Sequence, residues 1–322
     1  MKVLVTGATG FIGSHFIKYM LTEFAGVHSV VGLDSNCDTL AEERVKEVED
    51  EKFSLIYKDL FRDDISEILE KVDVVVHFAA KTFVDHSVRY PRSHFNNTVA
   101  GTFNLLECAR KSLNKDLLFV LVSTDEVFGE QQNCPEDGRL MPTNPYSACK
   151  AAAEMLAMGY QKTYGLNLVI TRCENNYGSY QHPQKVIPVY IRSALENMPL
   201  PVYNDGKNKR RWIYVQDHCD ALCSIIDNYT YLGETQFYNI TGGLEICNLD
   251  LAKLILRTFD RPEDDITFID TSTIRPYHDK EYSMVSTNKG LEDIWYIPQT
   301  ANRLDDLEKT IKWYDQNRRW LY

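Results

Sequence analysis

Positive charge, paired cysteines and long apolar runs are all scarce in this 322-residue chain. The 35 Lys and Arg stand against 46 Asp and Glu, a formal net charge of −11. A nucleic-acid-binding protein carries a basic face, so that class of partner is set aside. Eight cysteines, at 37, 108, 134, 149, 173, 219, 223 and 247, form no CxxC pair. Cys219 and Cys223 are four apart but lack a second ligand pair at zinc spacing, so no metal site is expected. Reduced, mostly buried thiols in the cytoplasm are the expectation. No apolar segment approaches the ~20 residues that cross a bilayer, so no membrane partner is expected. The chain enters a β-rich run at Lys2 without a signal peptide's charged and apolar regions. There is no internal repeat, low-complexity tract or flexible linker.

What is present is enough for one large or two smaller domains: 44% apolar and 25% charged residues, ordinary for a globular enzyme. The run Lys2–Thr6 leads into Gly7-Ala-Thr-Gly10-Phe-Ile-Gly13 and then an amphipathic stretch to about Phe24. Strand, glycine turn and helix together form a phosphate site. Gly7 serves the tight turn, Gly10 lets the backbone approach a pyrophosphate, and Gly13 permits close helix packing. Phe11 and Ile12 open the helix, whose first N–H groups face the anion. The next strand, Ser29–Leu33, ends at Asp34, placed to bind the adenosine ribose hydroxyls and to repel a 2′-phosphate. NAD is therefore expected rather than NADP, with Ser35 beside it. A third strand, Phe53–Tyr57, leads to Asp59 and Leu60 near the adenine, and a fourth, Val72–His77, to Ala79, Ala80 and Lys81. Small residues after that strand let a dinucleotide lie against the backbone, while His77 reads as a core histidine. Ser93–Arg110 has helical spacing, with Phe95, Val99, Phe103 and Leu106 on one face. Alternating strands and helices indicate a doubly wound parallel sheet.

Leu117–Val122 reads as a buried strand that gives out into Ser123, Thr124, Asp125 and Glu126. Two adjacent carboxylates beside a hydroxyl suit acid–base chemistry better than packing. Tyr146-Ser-Ala-Cys-Lys150 then opens an alanine-rich helix, with Tyr and Lys one turn apart on one face. A lysine ammonium there is expected to lower the tyrosine's pKa, as is a positively charged nicotinamide. The phenolate can then take a proton from a sugar hydroxyl during hydride transfer.

The glycine turn, Asp34, Thr124 and Tyr146-x-x-x-Lys150 resemble the extended short-chain dehydrogenases/reductases. Within them Ser-Thr-Asp-Glu-Val-Phe-Gly (123–129) resembles the nucleotide-sugar 4,6-dehydratases, above all those acting on dTDP-glucose. Further matches are His77-Phe-Ala-Ala80, Asn144-Pro-Tyr-Ser147, Asn175-Asn-Tyr-Gly178, Lys185-Val-Ile-Pro188, Pro199-Leu-Pro-Val-Tyr203 and Arg275-Pro-Tyr-His-Asp279, so the likeness runs nearly end to end. The resemblance implies a Rossmann-type α/β fold with a smaller, interleaved C-terminal substrate lobe. Residues 1–177 would bind NAD, their sheet completed by about 211–243, and 178–210 with 244–322 would form the lobe. Tyr146 would deprotonate the hydroxyl on sugar carbon 4, Glu126 would act as base at carbon 5, and Asp125 would protonate the leaving hydroxyl of carbon 6. Thr124 would hold the sugar, and Asn176 would lie near the nicotinamide. Phe83, Asn175, Lys185, Val186, Pro201, Tyr203, Arg210, Arg275 and His278 would meet the nucleotide-hexose, the three basic residues Lys185, Arg210 and Arg275 on its diphosphate. A homodimer through helices near 94–112 and 147–164 is implied as well.

The chain departs from the family pattern at Ser35–Asp38, Lys81, Glu174, Arg211 and Leu244. Lys81 and Glu174 bracket the expected site, which suggests a salt bridge between them. An epimerase or decarboxylase on the same fold is the competing reading, though neither reaction needs the Asp125–Glu126 pair to expel water. A non-catalytic dinucleotide-binding regulator would have no use for Thr124, Tyr146 and Lys150 together.

Overall fold

The computed structural model describes residues 1–35, 39–46, 48, 51–230, 234–271 and 303–322. Seven strands form the central sheet: β1 (Lys2–Thr6), β2 (Ser29–Asp34), β3 (Phe53–Tyr57), β4 (Val74–His77), β5 (Leu118–Thr124), β6 (Asn167–Cys173) and, further along the chain, β10 (Gln236–Ile240). Their spatial order is β3-β2-β1-β4-β5-β6-β10, every neighbouring pair parallel. The order reverses direction beside β1, the switch point at which doubly wound sheets bind ligands outside their strand ends. As expected from the sequence, a late strand, β10, returns to this sheet.

Every residue of β4, β5 and β6 is buried, because helices cover both faces. Alternation along each strand sorts its side chains between two cores. Val3, Val5, Leu118 and Val120 pack with α1 (Phe11–Thr22) and α9 (Val215–Asp227). Leu4, Val75, Phe119 and Leu121 pack on the other face with α6 (Gly101–Lys111) and α7 (Pro145–Tyr164). His77 is the core histidine expected: its ring bonds the Thr6 hydroxyl at 2.6 Å and that of Thr102 at 2.9 Å.

The continuous helix expected over Ser93–Arg110 is broken. A short α5 (Pro91–His94) runs into a π-helical turn, Phe95–Ala100, before α6 begins. A π turn takes in extra residue per turn and breaks the i, i+4 stripe. Phe95 and Phe103 are accordingly 53% and 47% exposed, whereas Val99 and Leu106 are buried.

A second layer grows from β7 (Asn175–Tyr177), which pairs with β9 (Lys209–Tyr214), itself paired with β11 (Leu244–Cys247). β8 (Leu200–Tyr203) pairs with β12 (Ile266–Ile269). Around them α8 (Val186–Leu195), α10 (Asn248–Thr258) and α11 (Arg303–Gln316) close a third core containing Tyr190, Leu251, Ile255 and Tyr314.

Candidate active site

β5 runs two residues beyond the Val122 read from the apolar run, because Ser123 and Thr124 still pair with Arg172 and Cys173 of β6. The chain then tightens into a 3-10 turn, Asp125–Phe128, whose first residues are capped by Thr124 accepting the Glu126 N–H at 3.4 Å. The Thr124 hydroxyl donates to Asp125 Oδ1 at 3.1 Å. α7 starts in a capping box: Asn144 Oδ1 accepts the Ser147 N–H at 2.9 Å, and Ser147 Oγ accepts the Asn144 N–H. The same Asn144 side chain donates from Nδ2 to Glu126 Oε2 at 3.4 Å. Tyr146, in the first turn, is buried, and its N–H donates to Ser87 Oγ at 3.1 Å. One turn on, Lys150 Nζ donates to the Val122 carbonyl at 2.6 Å.

Burial separates these groups electrostatically. Asp125 is held well above the usual carboxylate range by desolvation first, then by the negative charges of Glu126 and Glu174; the Thr124 hydroxyl and Arg210 pull less strongly the other way. Burial thus favours the protonated form of Asp125, while Glu126 lies half-buried and receives an amide N–H. Desolvation also lowers Lys150 to about 8. The expected depression of Tyr146 is not what the chain itself supplies. Burial, then Glu126 and Cys173, push the phenol up, with a Thr124 hydrogen bond opposing and Asp125 adding to the rise. Desolvation and the neighbouring acidic groups outweigh any pull of the Lys150 charge on the phenol.

At the mouth of β1 the glycine turn forms a cradle. A Cβ on Gly13 would lie 2.2 Å from the Gly7 carbonyl oxygen, so glycine alone permits the helix to start so close to the turn. The cap residue Gly10 has no side-chain acceptor for the first N–H groups of α1, and these suit a pyrophosphate. Asp34 Oδ2 accepts the Thr9 N–H at 3.0 Å, fixing that turn beside the strand end where a ribose would lie. The donor set fits NAD.

Comparison with known proteins agrees with this geometry. Residues 4–301 match the family model described as GDP-mannose 4,6 dehydratase. The chain belongs to this dehydratase family. It is 36% identical to a dTDP-glucose 4,6-dehydratase of an Actinoplanes species, with 99% of each chain covered. It also superimposes on DesIV, a dTDP-glucose 4,6-dehydratase from Streptomyces venezuelae solved with NAD bound, at a TM-score of 0.89 and 34% identity over 99% and 98% of the two chains. A UDP-glucuronic acid 4-epimerase from Bacillus cereus, solved with NAD, reaches 0.88 at 27% identity over 98% and 100%. The fold is therefore shared with epimerases, and the dehydratase chemistry has to be read from the side chains.

Around the dehydratase centre the other expected residues divide. Ala79 donates its N–H to Thr6 Oγ1 and backs the glycine turn, with Ala80 half-buried after it; Phe11 and Ile12 begin α1, and Ser35 is exposed past β2. Asp59 accepts the Phe61 N–H in a local turn, and Leu60 is core. Lys185 Nζ sits 4.6 Å from the Phe83 ring centre and donates to the Thr82 carbonyl, so the two form one unit. Val186 packs on the third core, and Pro201 and Tyr203 are half-buried on β8. Asn175 Nδ2 donates to the Arg211 carbonyl at 3.3 Å. Asn176 is occupied within the protein, donating to the Glu174 carbonyl at 3.0 Å and bonding His218 through Oδ1 at 2.9 Å. Arg275 and His278 lie outside the described residues.

The suggested Lys81–Glu174 salt bridge is absent. Lys81 Nζ donates to Ser93 Oγ at 2.6 Å, whereas Glu174 faces Arg211 at 4.0 Å. The departures that belong together are Glu174, in the step between β6 and β7, and Arg211 on β9. Sequence reading missed three groups beside the pair: Asn144, Cys173 and Glu174 as Asp125's neighbour. Asn144 stood in the sequence only within a matched motif, and its bond to Glu126 depends on how the chain returns from residue 129 to 144. Among the described residues no group of His, Cys, Asp or Glu could hold a metal.

Proposed function

We propose that this dehydratase acts on a nucleotide-hexose, dTDP-glucose foremost, and releases the nucleotide-linked 4-keto-6-deoxyhexose. One observation carries the reading: two adjacent carboxylates in unlike surroundings, Asp125 buried with its carboxyl held well above the usual range, Glu126 half-buried and receiving the Asn144 amide. Expelling water across carbons 5 and 6 needs one group to give a proton and another to take one. Epimerisation at carbon 4 needs neither, since no water leaves.

Held by the glycine turn and Asp34, NAD would supply the redox chemistry, accepting a hydride from carbon 4 and returning it at carbon 6. Tyr146, as the phenolate that a bound cofactor's positive charge would favour, receives the carbon 4 hydroxyl proton. Thr124 holds that hydroxyl. The ketone acidifies carbon 5, where Glu126 takes the proton; Asp125 protonates the carbon 6 hydroxyl, which leaves as water. Glu126 gives its proton back to carbon 5 as carbon 6 is reduced. The proton left on Tyr146 balances the one Asp125 gave up, and the Thr124 hydroxyl bonds both groups. In this reading residues 1–177 carry NAD, and 178–210 with 244–322 carry the substrate, with Phe83, Lys185 and Arg210 at the entrance. Incubation with dTDP-, UDP- and GDP-hexoses tests it: a 4-keto sugar is expected from dTDP-glucose, and no ketone from any of them would refute the dehydratase reading.

The assembly reading is a homodimer. An apolar face runs along 88–103 and α7, where Tyr90, Phe95, Phe103, Met155 and Tyr164 are exposed around a groove of about 400 Å³. Faces of this kind mark interfaces, and a mass of twice the chain in light scattering is expected. A cytoplasmic location is supported by the seven described cysteines, all free, and no described helix is long and apolar enough to cross a membrane.

A further inference from the structure

β5 and β6 end side by side. Thr124 is in register with Cys173, so the next residue on each strand, Asp125 and Glu174, emerges next to the other. Glu174 is 2% exposed, and an ion there needs partners because desolvating a lone carboxylate is costly. Two are supplied from elsewhere in the fold. The Gly242 N–H donates to Glu174 Oε2 at 2.7 Å. A Cβ on Gly242 would lie 2.1 Å from the Trp212 carbonyl oxygen, so only glycine brings that N–H into place. The Arg211 guanidinium stands 4.0 Å from Oε1, but its Nε also donates to Glu245 Oε2 at 3.1 Å, so its charge is divided.

We infer that Glu174 is a positioning residue for the elimination step: held ionised by Gly242 and Arg211, it keeps the proton on the neighbouring Asp125. The inference rests on the assignment of Asp125 as the acid. The charged and titratable groups that reach Asp125 are Glu126 from its own turn, Glu174 and Cys173 from the β6 end, Tyr146 from α7 and Arg210 from β9. Arg210 favours ionisation, and Glu126 must itself be ionised to act as base. A second fixed negative charge keeps the shared proton on Asp125 when the substrate arrives.

Glu174→Gln keeps the acceptor for Gly242 and removes the charge. The protonated-carboxyl stretch of Asp125, identified by its loss in Asp125→Asn, is followed by infrared spectroscopy against pH on the resting protein. In Glu174→Gln it is expected to disappear about one pH unit lower than in the parent. At a pH midway between the two midpoints, single-turnover decay of the transient NADH absorbance slows about threefold, while its rise, which reports carbon 4 oxidation, is unchanged. Arg211→Gln weakens the hold on the Glu174 charge and moves the band the same way by a smaller amount, and Glu174→Asp returns part of the parent profile. An unmoved band in Glu174→Gln overturns the inference, as does equal slowing of the rise and the decay. If Glu174→Gln does not fold, an unmoved band in Arg211→Gln overturns it. The band is read without substrate, so a parent protein that makes no ketosugar refutes the dehydratase reading separately.

Discussion

At the level of single residues, the 3-10 turn after β5 places Asp125 in the interior and leaves Glu126 half-buried against Asn144. Asp125→Asn is expected to retain carbon 4 oxidation, seen as NADH formation, and to lose elimination by about 10²–10⁴-fold. Tyr146→Phe is expected to abolish the NADH signal and with it the elimination that needs the ketone; loss of NADH formation in Asp125→Asn, or its survival in Tyr146→Phe, would contradict the division of labour. The residues of this centre could be read along the chain, because a polar strand end and a Tyr-x-x-x-Lys helix are local patterns. Glu174 could not be assigned its neighbour in this way. It is 49 positions from Asp125 in numbering, and only the β5–β6 register brings the two strand ends together.

Among elements, α7 depends on one side chain for two tasks, since Asn144 both caps the helix and contacts Glu126. Asn144→Ser preserves a cap and removes the amide; stability in urea should be nearly unchanged while elimination slows. Asn144→Ala loses both, with about 1 kcal/mol of destabilisation. Equal stability of the two variants would show that the cap contributes nothing. α7 is also tied to β6 by the Arg172–Glu154 ion pair, 2.8 Å apart and buried at both ends. Glu154→Ala leaves a buried guanidinium and is expected to cost about 3–5 kcal/mol in urea unfolding; a loss below about 1 kcal/mol would contradict this. Strands and helices were legible from periodicity, including the late return of β10. The π turn at Phe95–Ala100 was not, because apolar spacing across it still resembles a helix.

Over the whole molecule, the buried His77 and His218 and the half-buried His15 link stability to pH. Desolvation lowers His77 and His218 to about 3 and His15 to about 4 from an ordinary 6.5. The unfolded chain binds these protons first, so their contribution is complete above 6.5 and is lost as pH falls towards the folded values. Each costs about 1.4 kcal/mol per pH unit within that window, so the urea midpoint should fall steadily from pH 6.5 to 4.5. A flat midpoint would contradict the buried neutral state. The parallel, doubly wound sheet could be anticipated from alternating elements, whereas the pairing of β7 with β9 and β11 joins segments too far apart for local patterns to show.

The central claim is that one site oxidises carbon 4, exchanges a proton at carbon 5 and reduces carbon 6. Nuclear magnetic resonance of the product made in D₂O from dTDP-glucose carrying a labelled carbon 4 hydrogen tests all three steps together. The account predicts a 4-keto-6-deoxy sugar with deuterium on carbon 5 and the label on carbon 6. A product that keeps its carbon 6 hydroxyl, or returns the label to carbon 4, would contradict it.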